Sequence, residues 1–143
     1  MLHYFGMDSS VKSTFSKASF TYDSKSQIQQ QVHQELLHYL TQFNTLKSPR
    51  RILDLGCGTG RGTEKIQTHF ENVPVFAVDF APDMISYARE HHRNPFIQYD
   101  CQNILDLTLD HLYDLIFSNA TLHWCDPQEK AIKKIKQFLN SDG

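Results

Sequence analysis

The amino-acid sequence predicts an α/β protein whose strands form a parallel sheet. Short apolar runs, each long enough for a buried strand, are separated by stretches with helical periodicity. Strand and helix alternate at intervals of roughly twenty residues, which is typical of βαβ units. A glycine-rich turn at residues 54–60 joins the first apolar run to the helix behind it. These three observations favour an open sheet covered by helices.

The first 48 residues are expected to form an arm followed by an amphipathic helix. Residues 1–23 are polar and aromatic without clean periodicity, which is typical of irregular structure. From Ser26 onward, apolar residues recur at helical spacing and predict a helix that ends before Pro49. The apolar stripe of this helix comprises Ile28, Val32, Leu36, Tyr39, Leu40 and Phe43. Residues 49–143 are expected to form the α/β domain.

After Pro49 the sequence alternates between strand and helix signals. Apolar runs bounded by turn residues predict strands over residues 51–55, 74–79, 96–99 and 113–118. Helical patterns predict helices over residues 60–70 and 82–91. A last helix is predicted to open with Asp126 as its N-cap, Pro127 at the first helical position and Glu129 close to a capping box. Its apolar stripe comprises Ala131, Ile132, Ile135, Phe138 and Leu139.

Composition excludes several classes of function. The chain has 143 residues, of which 40% are hydrophobic and 21% charged, and these values suit one globular domain. A net charge of −2 provides no global field that attracts nucleic acid or an anionic membrane. No apolar run approaches the ~20 residues of a membrane span, and no secretory leader is evident. We therefore expect a cytoplasmic protein that binds neither nucleic acid nor membrane.

The three cysteines, Cys57, Cys101 and Cys125, lie far apart and lack CxxC spacing. This pattern argues against a disulfide framework and against a structural zinc site, so no metal is predicted. Cys57 lies inside the glycine-rich turn, where it is interpreted as a small residue that fills a tight turn. A nucleophilic role for Cys57 is the alternative.

The glycine-rich turn, Asp54-Leu55-Gly56-Cys57-Gly58-Thr59-Gly60, is the most specific motif of the chain. Its glycines permit positive φ and let a ligand lie against bare backbone. A dinucleotide-binding turn requires G-x-G-x-x-G, but Arg61 or Thr63 stands where the third glycine should be. Asp54 would repel a pyrophosphate, whereas it suits a ligand that carries an ammonium and a sulfonium. A tight turn without a ligand is the remaining alternative.

Two further acidic residues end neighbouring predicted strands. Asp79 ends the second strand, where a carboxylate can accept hydrogen bonds from both hydroxyls of a ribose. Asp100 ends the third strand, where it can accept a hydrogen bond from an adenine amino group. With Asp54 these residues are expected to line one crevice at the carboxyl ends of the strands, where open α/β sheets bind ligands. The alternative for Asp79 is a solvated strand-end charge, and the alternative for Asp100 is a lone aspartate of the kind that commonly follows a strand.

This set of motifs resembles the class I S-adenosylmethionine-dependent methyltransferases. The matching segments are residues 53–60, 78–84, 99–100 and 113–119. The resemblance implies a Rossmann-like class I methyltransferase fold with a parallel sheet in the order 3-2-1-4. It also implies S-adenosylmethionine as cofactor and S-adenosylhomocysteine as product.

The resemblance further implies which residues bind the cofactor. The glycine-turn backbone would hold the methionine moiety, Asp79 the ribose, and Asp100 with the Cys101 backbone the adenine. Asn119 would lie near the methionine tail and the methyl group. The implied binding residues are Gln29, Asp54, Gly56, Cys57, Gly58, Gly60, Asp79, Phe80, Met84, Asp100, Cys101 and Asn119.

The N-terminal arm is similar to that of malonyl-acyl-carrier-protein O-methyltransferases of biotin synthesis. Phe15, Ala18, Tyr22-Asp23 and Gln29 match the arm pattern F-x-x-A-x-x-x-Y-D-x-x-x-x-x-Q of that family. Residues 118–125 are similar to its S-N-x-x-x-Q-W-C segment, except that His123 stands where glutamine is usual. This departure bears on the substrate side rather than on the cofactor side.

The reaction implied is methyl transfer to the free carboxylate of a malonyl thioester carried by an acyl carrier protein. Such a carboxylate is ionised at pH 7, so positioning is expected to matter more than a strong general base. The candidate catalytic residues are Tyr22, Asn119 and His123. Tyr22 and Gln29 would help to close the arm over the cofactor. The alternative for Tyr22 is an aromatic side chain that only packs the arm in place. His123 is interpreted as a base or as a pocket-lining or packing histidine, and Trp124 as a core or pocket-wall aromatic.

Two other functions are consistent with the sequence. One is methylation of another small carboxylate, as in enzymes of the trans-aconitate type, which share the cofactor motifs. The other is a truncated cofactor-binding module without catalysis, because the resemblance implies that residues 139–143 precede the fifth of seven strands. The fourth strand would then be an uncovered edge open to self-association. Lysines 130, 133, 134 and 136 are interpreted as a solvated helix face or as a landing patch for an acidic carrier protein.

Overall fold

The structure of the chain is a computed structural model that describes residues 27–42 and 48–143. The predicted arm over residues 1–23, including Tyr22, and the predicted end of the first helix at Phe43 lie outside the described residues. The described helices are α1 (Gln27–Gln42), α2 (Arg61–His69), α3 (Pro82–His91) and α4 (Gln128–Lys136). The strands are β1 (Ile52–Leu55), β2 (Val75–Asp79), β3 (Ile97–Cys101) and β4 (Leu115–Ser118).

The four strands form one parallel sheet in the order β3-β2-β1-β4, which confirms the predicted fold class and strand order. All four residues of β1 are buried, as expected for a central parallel strand with elements on both faces. Leu55, the last residue of β1, lies opposite Val78 of β2 and Ser118 of β4. The turns that follow these strands therefore meet at the same edge of the sheet.

The predicted start of the fourth strand is wrong by two residues. The backbone amides of Asp114 and Leu115 both donate to the Arg51 carbonyl, at 3.0 and 3.4 Å, so regular pairing with β1 begins only at Leu115. Tyr113 instead pairs with the segment that follows α4, because its amide donates to the Phe138 carbonyl at 2.8 Å. An isolated parallel bridge joins Tyr113 to Leu139.

The predicted cap of the last helix is also wrong. Helix α4 begins at Gln128, and Pro127 occupies the N-cap position with extended backbone, φ −78° and ψ 139°. Asp126 therefore lies one residue before the cap and supplies no capping side chain. Ala131 is buried as predicted, whereas Ile132 is 47% exposed because its side of the helix faces away from the sheet.

Two apolar layers cover the sheet. One contains Leu53, Leu55 and Val78 together with residues from the segment after β3 and from α4. The other contains Ile52, Val75, Leu115 and Phe117, packed by Ile66 of α2 and Leu37 of α1. Successive residues of β1 point into opposite layers, which is why the run Ile52–Leu55 is apolar apart from Asp54.

Helix α1 buries a face that matches only part of the predicted apolar stripe, of which Leu36 and Leu40 pack against the core. His33 and Leu37 are its buried residues, at 6% and 8% exposure. Ile28 and Tyr39, which were expected to face the core, are 76% and 54% exposed. The helix meets the sheet where the His33 ring packs on Phe117, with ring centroids 4.8 Å apart and ring planes tilted by 52°. A polar residue thus occupies the centre of the buried face.

On the outer side of β4, the described residues form a single bridge, which joins Tyr113, just before the strand, to Leu139. Pairing of this edge with another chain stays a prediction. None of the described helices is long and apolar enough to cross a membrane. Within residues 27–42 and 48–143, no group of His, Cys, Asp and Glu side chains is arranged to hold a metal ion.

The buried layer under α2 should carry much of the stability of the fold. Ile66 is fully buried, so Ile66→Ala should lower the free energy of unfolding by about 2–5 kcal/mol through lost packing and a residual cavity. Ile132→Ala makes the same chemical change at a half-exposed helical site and should cost less than about 1 kcal/mol. Urea unfolding followed by circular dichroism measures both. Equal costs would contradict the placement of α2 against the sheet.

Candidate functional site

The glycine turn between β1 and α2 requires glycine at three positions. Gly56, Gly58 and Gly60 have φ values of 76°, 54° and 84°, which other residues rarely adopt. A Cβ on Gly56 would collide with the side chain of Thr121, and one on Gly60 would lie 2.6 Å from the Tyr99 hydroxyl oxygen. Gly56 and Gly60 are therefore packed closely against the Thr121 and Tyr99 side chains, which leave no room for a Cβ.

Asp79, at the end of β2, holds this turn in place. Its Oδ2 accepts a hydrogen bond from the Gly58 amide at 2.9 Å, and its Oδ1 accepts one from the Ala81 amide at 2.9 Å. Burial raises the pKa of this carboxyl, and the backbone amides, including that of Phe80, oppose the shift. Each carboxylate oxygen keeps a second lone pair, so Asp79 can still accept a hydrogen bond at both oxygens.

Asp54 lies under the same turn and is 4% exposed. Its Oδ2 accepts a hydrogen bond from the Thr63 hydroxyl at 2.7 Å. Burial raises the pKa of Asp54 to about 7; the Thr63 hydrogen bond lowers it and the nearby Asp79 carboxylate raises it further. Two buried carboxyl groups beneath one turn create a site that favours a cationic group.

A cleft opens between the glycine turn and α1. Asn119, which follows β4, closes one end by donating from Nδ2 to the Gln29 carbonyl at 3.0 Å. The cleft thus brings together the predicted site residues Gln29, Asp54 and Asn119. The residues that line it are Gln29, Gln30, His33, Asp54, Gly56, Cys57, Gly58, Thr59, Arg61, Gly62, Lys65 and Asn119.

A second, smaller cleft lies on the other side of Gly56. It is lined by Gly56, Asp79, Phe80, Gln102, Asn103, Ile104, Thr121 and Cys125. The glycine turn therefore separates two depressions, one beside α1 and one beside the ends of β2 and β3. A ligand that crosses Gly56 can occupy both, with Asp79 near its middle.

Comparison with known proteins identifies the family. Residues 52–143 match the family described as methyltransferase domain. The chain belongs to this methyltransferase-domain family. The match covers the whole parallel sheet and the glycine turn, and it begins after α1.

Curated relatives of this methyltransferase domain are named malonyl-[acyl-carrier protein] O-methyltransferase. The relative from Bacillus cytotoxicus is 34% identical over 133 residues, which is 93% of this chain and 47% of that protein. The relative from Acetivibrio thermocellus is 35% identical over 129 residues, 90% of this chain and 45% of that protein. The chain spans about half the length of the curated relatives it matches.

Solved structures of other proteins share the fold. The structure described as a DhpI–SAH complex superposes with a TM-score of 0.73 at 22% identity, over 92% of this chain and 63% of that one. The N-methyltransferase NodS from Bradyrhizobium japonicum, solved with S-adenosyl-L-homocysteine, gives 0.65 at 24% identity, over 78% and 56%.

The structure separates some of the other predicted site residues of the methyltransferase domain from the clefts. Met84 is buried in the core at 1% exposure and lines neither cleft. Cys101 lies opposite Asp79 in the sheet and is exposed. Asp100 accepts hydrogen bonds from the Cys101 amide at 2.9 Å and from the Gln102 side chain at 2.8 Å. Each Asp100 oxygen keeps a second lone pair that could accept a hydrogen bond from an adenine. The Cys101 amide, in contrast, could donate to an adenine only after it leaves Asp100.

His123 and Trp124 lie on a short 3-10 turn after Asn119, and neither lines either of the two clefts described above. The two rings pack on each other with centroids 4.8 Å apart. His123 is exposed, and Trp124 is 38% exposed, so the expectation of Trp124 as a core aromatic is wrong, whereas a place in a pocket wall stays a prediction. Cys57 lines the larger cleft, and burial raises the pKa of its thiol well above the usual value, which argues against a thiolate nucleophile there.

Sequence reasoning missed two residues that shape the site. His33 lines the larger cleft although it lies outside every motif and interrupts the apolar face of α1. Thr121 is buried against Gly56, with its hydroxyl donating to the Asn119 carbonyl at 3.0 Å. The only sequence signal for Thr121 is indirect, because the obligatory glycine at position 56 indicates that something packs against it.

The raised pKa of Asp54 should make folding stability depend on pH. The native state keeps the Asp54 proton to about pH 7, whereas the unfolded chain loses it near pH 4. The stabilisation of the folded state by this proton is therefore fully present below pH 4 and is lost as pH rises toward 7. The full effect is up to about 4 kcal/mol.

Asp54→Asn should therefore flatten the dependence of unfolding free energy on pH between 4 and 7, as measured by urea unfolding at several pH values. Asp110→Asn, at an exposed position, is the matched control and should leave the profile unchanged. An unchanged profile in Asp54→Asn would contradict the assignment of the shift to this carboxyl.

Proposed function

We propose that this methyltransferase domain binds S-adenosylmethionine across the glycine turn, with the amino-acid end in the cleft beside α1. The observation that carries the proposal is the pair of buried carboxyl groups, Asp54 and Asp79, beneath an open turn of three left-handed glycines. Asp54 suits the ammonium and the sulfonium that such a ligand carries. The solved relatives that contain S-adenosylhomocysteine support the same ligand class.

The residues that would hold the ligand follow from the two clefts. Asp79 would accept hydrogen bonds from the ribose hydroxyls through the lone pairs that the Gly58 and Ala81 amides leave open. Phe80 would border the adenine in the smaller cleft. Asp100 would accept a hydrogen bond from the adenine through a remaining lone pair, and the Cys101 amide would donate to the adenine once it leaves Asp100. The division of the chain at residues 48 and 49 stays a prediction, as do the roles of these residues.

We propose that the acceptor is the free carboxylate of a malonyl thioester on an acyl carrier protein. The names of the curated relatives and the arm motif with Tyr22 support this acceptor. When bound, S-adenosylmethionine supplies an activated methyl group, which passes from sulfur to a carboxylate oxygen without any proton transfer. The protein then has to align the two reactants and exclude water. The Asn119 side chain, Gln29 and the arm would contribute to both. His123 would act only if the turn that carries it moves toward the cleft.

The ribose assignment is tested by Asp79→Asn. An uncharged amide should weaken binding of S-adenosylhomocysteine about tenfold or more, because a hydrogen bond to a charged group is lost. Binding of 5′-methylthioadenosine should weaken by the same factor, since it keeps the ribose. Isothermal titration calorimetry measures both, with Asp110→Asn as the control and thermal unfolding as a check on folding. Unchanged affinity in Asp79→Asn would remove the ribose assignment.

The acceptor is tested by incubating the chain with S-adenosylmethionine and either malonyl-acyl-carrier protein, free malonate or trans-aconitate. Mass spectrometry should detect a methyl ester on the carrier thioester. A methyl ester on a free acid instead would favour another small-carboxylate methyltransferase. Binding without transfer to any acceptor would favour a cofactor-binding module, and absence of binding would refute the proposed function.

A further inference from the structure

The turn that follows β4 is held by the hydroxyl of Thr121. This hydroxyl donates a hydrogen bond to the Asn119 carbonyl at 3.0 Å, and Thr121 is only 7% exposed. A threonine hydroxyl that bonds to a nearby backbone carbonyl restrains the local conformation of the chain. The bond therefore fixes the orientation of the peptide group that links Asn119 to Ala120.

Ala120, between these two residues, has a left-handed backbone with φ 54°. A residue that carries a Cβ seldom adopts this conformation, because the Cβ comes too close to the following carbonyl oxygen. Such a conformation persists only where the surrounding structure enforces it, and it is common at ligand-binding sites. The hydrogen bond from Thr121 to the Asn119 carbonyl spans Ala120 and supplies a restraint of this kind.

The side chain of Thr121 also packs on the glycine turn. A Cβ on Gly56 would overlap the Oγ1 and Cγ2 atoms of Thr121. The sheet register brings the two turns together, since Ser118 at the end of β4 lies opposite Leu55 at the end of β1. The Ser118 hydroxyl adds a hydrogen bond to the Leu55 carbonyl at 3.2 Å. The turn after β4 is therefore seated at Gly56, which lines both clefts.

Asn119 connects this arrangement to α1. Its Nδ2 donates to the Gln29 carbonyl at 3.0 Å. Asn119 lines the larger cleft, whereas Thr121 lines the smaller one. The turn over residues 119–121 thus borders both clefts and joins the glycine turn to the helix. A change in the peptide group after Asn119 would move its side chain relative to both elements.

We propose that Thr121 is a positioning residue, whose hydroxyl bond and contact with Gly56 together hold the Asn119 side chain at the end of the larger cleft. Thr121 acts through Asn119, and no bond is made or broken at its hydroxyl. The consequence for ligand affinity rests on the proposed function, because it requires that S-adenosylmethionine crosses Gly56 and passes Asn119.

Two substitutions separate the hydroxyl of Thr121 from its packing. Thr121→Val keeps the branched shape and removes the donor, so it should weaken S-adenosylhomocysteine binding about threefold to tenfold in isothermal titration calorimetry. Thr121→Ser keeps the donor and should stay within about twofold of the wild-type affinity. Thr68→Val is the matched control, because it removes a hydroxyl that donates to a backbone carbonyl at 2.8 Å on the exposed side of α2. This control should leave the affinity unchanged.

A double variant tests whether Thr121 acts through Asn119. Once Asn119→Ala has removed the side chain, the further change Thr121→Val should weaken S-adenosylhomocysteine binding by less than about twofold. Nuclear magnetic resonance gives a second measurement, which needs no ligand. Thr121→Val should shift the ¹H and ¹⁵N resonances of the Asn119 side-chain amide, and Thr68→Val should not.

The outcomes separate this inference from the proposed function. If the wild-type chain does not bind S-adenosylhomocysteine, the proposed function fails, and the Asn119 resonances decide the inference: a shift in Thr121→Val supports it and unchanged resonances overturn it. If the wild-type chain binds this ligand and Thr121→Val binds it equally well, the proposed function stands and the inference is overturned. Additive losses in the double variant would also overturn it, since Thr121 would then act independently of Asn119.

Circular dichroism and thermal unfolding establish that each variant folds. Should Thr121→Val not fold, nuclear Overhauser contacts in the wild-type chain replace it as the test. Contacts between the Thr121 methyl group and the Gly56 α-protons would support the inference, and their absence would overturn it.

Discussion

The hydrogen bond from the Gly58 amide to the Asp79 carboxylate is the contact on which the candidate site depends. It joins the turn after β1 to the last residue of β2, so the turn cannot move independently of the neighbouring strand. The parallel register makes the contact available, because Leu55 lies opposite Val78 and both strands end at the same edge. A second bond, from the Ala81 amide, fixes the orientation of the carboxylate.

The electrostatic character of the site follows from this arrangement. With Asp79 held at the turn, Asp54 becomes the second carboxyl in a space from which water is largely excluded, and burial raises the pKa of both. Such a site disfavours a pyrophosphate, although a glycine turn before a helix is also the usual frame for phosphate binding. Helix α2 and Lys65 supply the opposite charge on the far side of the cleft. The cleft therefore has an acidic region beneath the turn and a basic region beside α2.

Much of the fold could be predicted from the sequence because its signals are local. Apolar runs indicated the strands, and the glycine turn and Pro82 marked where α2 and α3 begin. The predictions are wrong where the structure depends on a contact between residues that are far apart in the chain. Tyr113 leaves β4 because it pairs with Leu139, and α1 buries His33 and Leu37 because its position on Phe117 selects that face. A helical pattern cannot indicate which of two adjacent faces will meet a sheet.

By itself, the sequence determined the parallel α/β class, the left-handed glycine turn and the acidic residues at the ends of β1 and β2. These depend on intrinsic conformational preference and on chain order, which are properties of short segments. Only the tertiary structure decided that Asn119 meets Gln29, that Thr121 packs on Gly56, and that an imidazole from α1 lies against the start of α2. Those contacts join residues that are far apart in the chain. Their geometry is set by how the helices pack on the sheet.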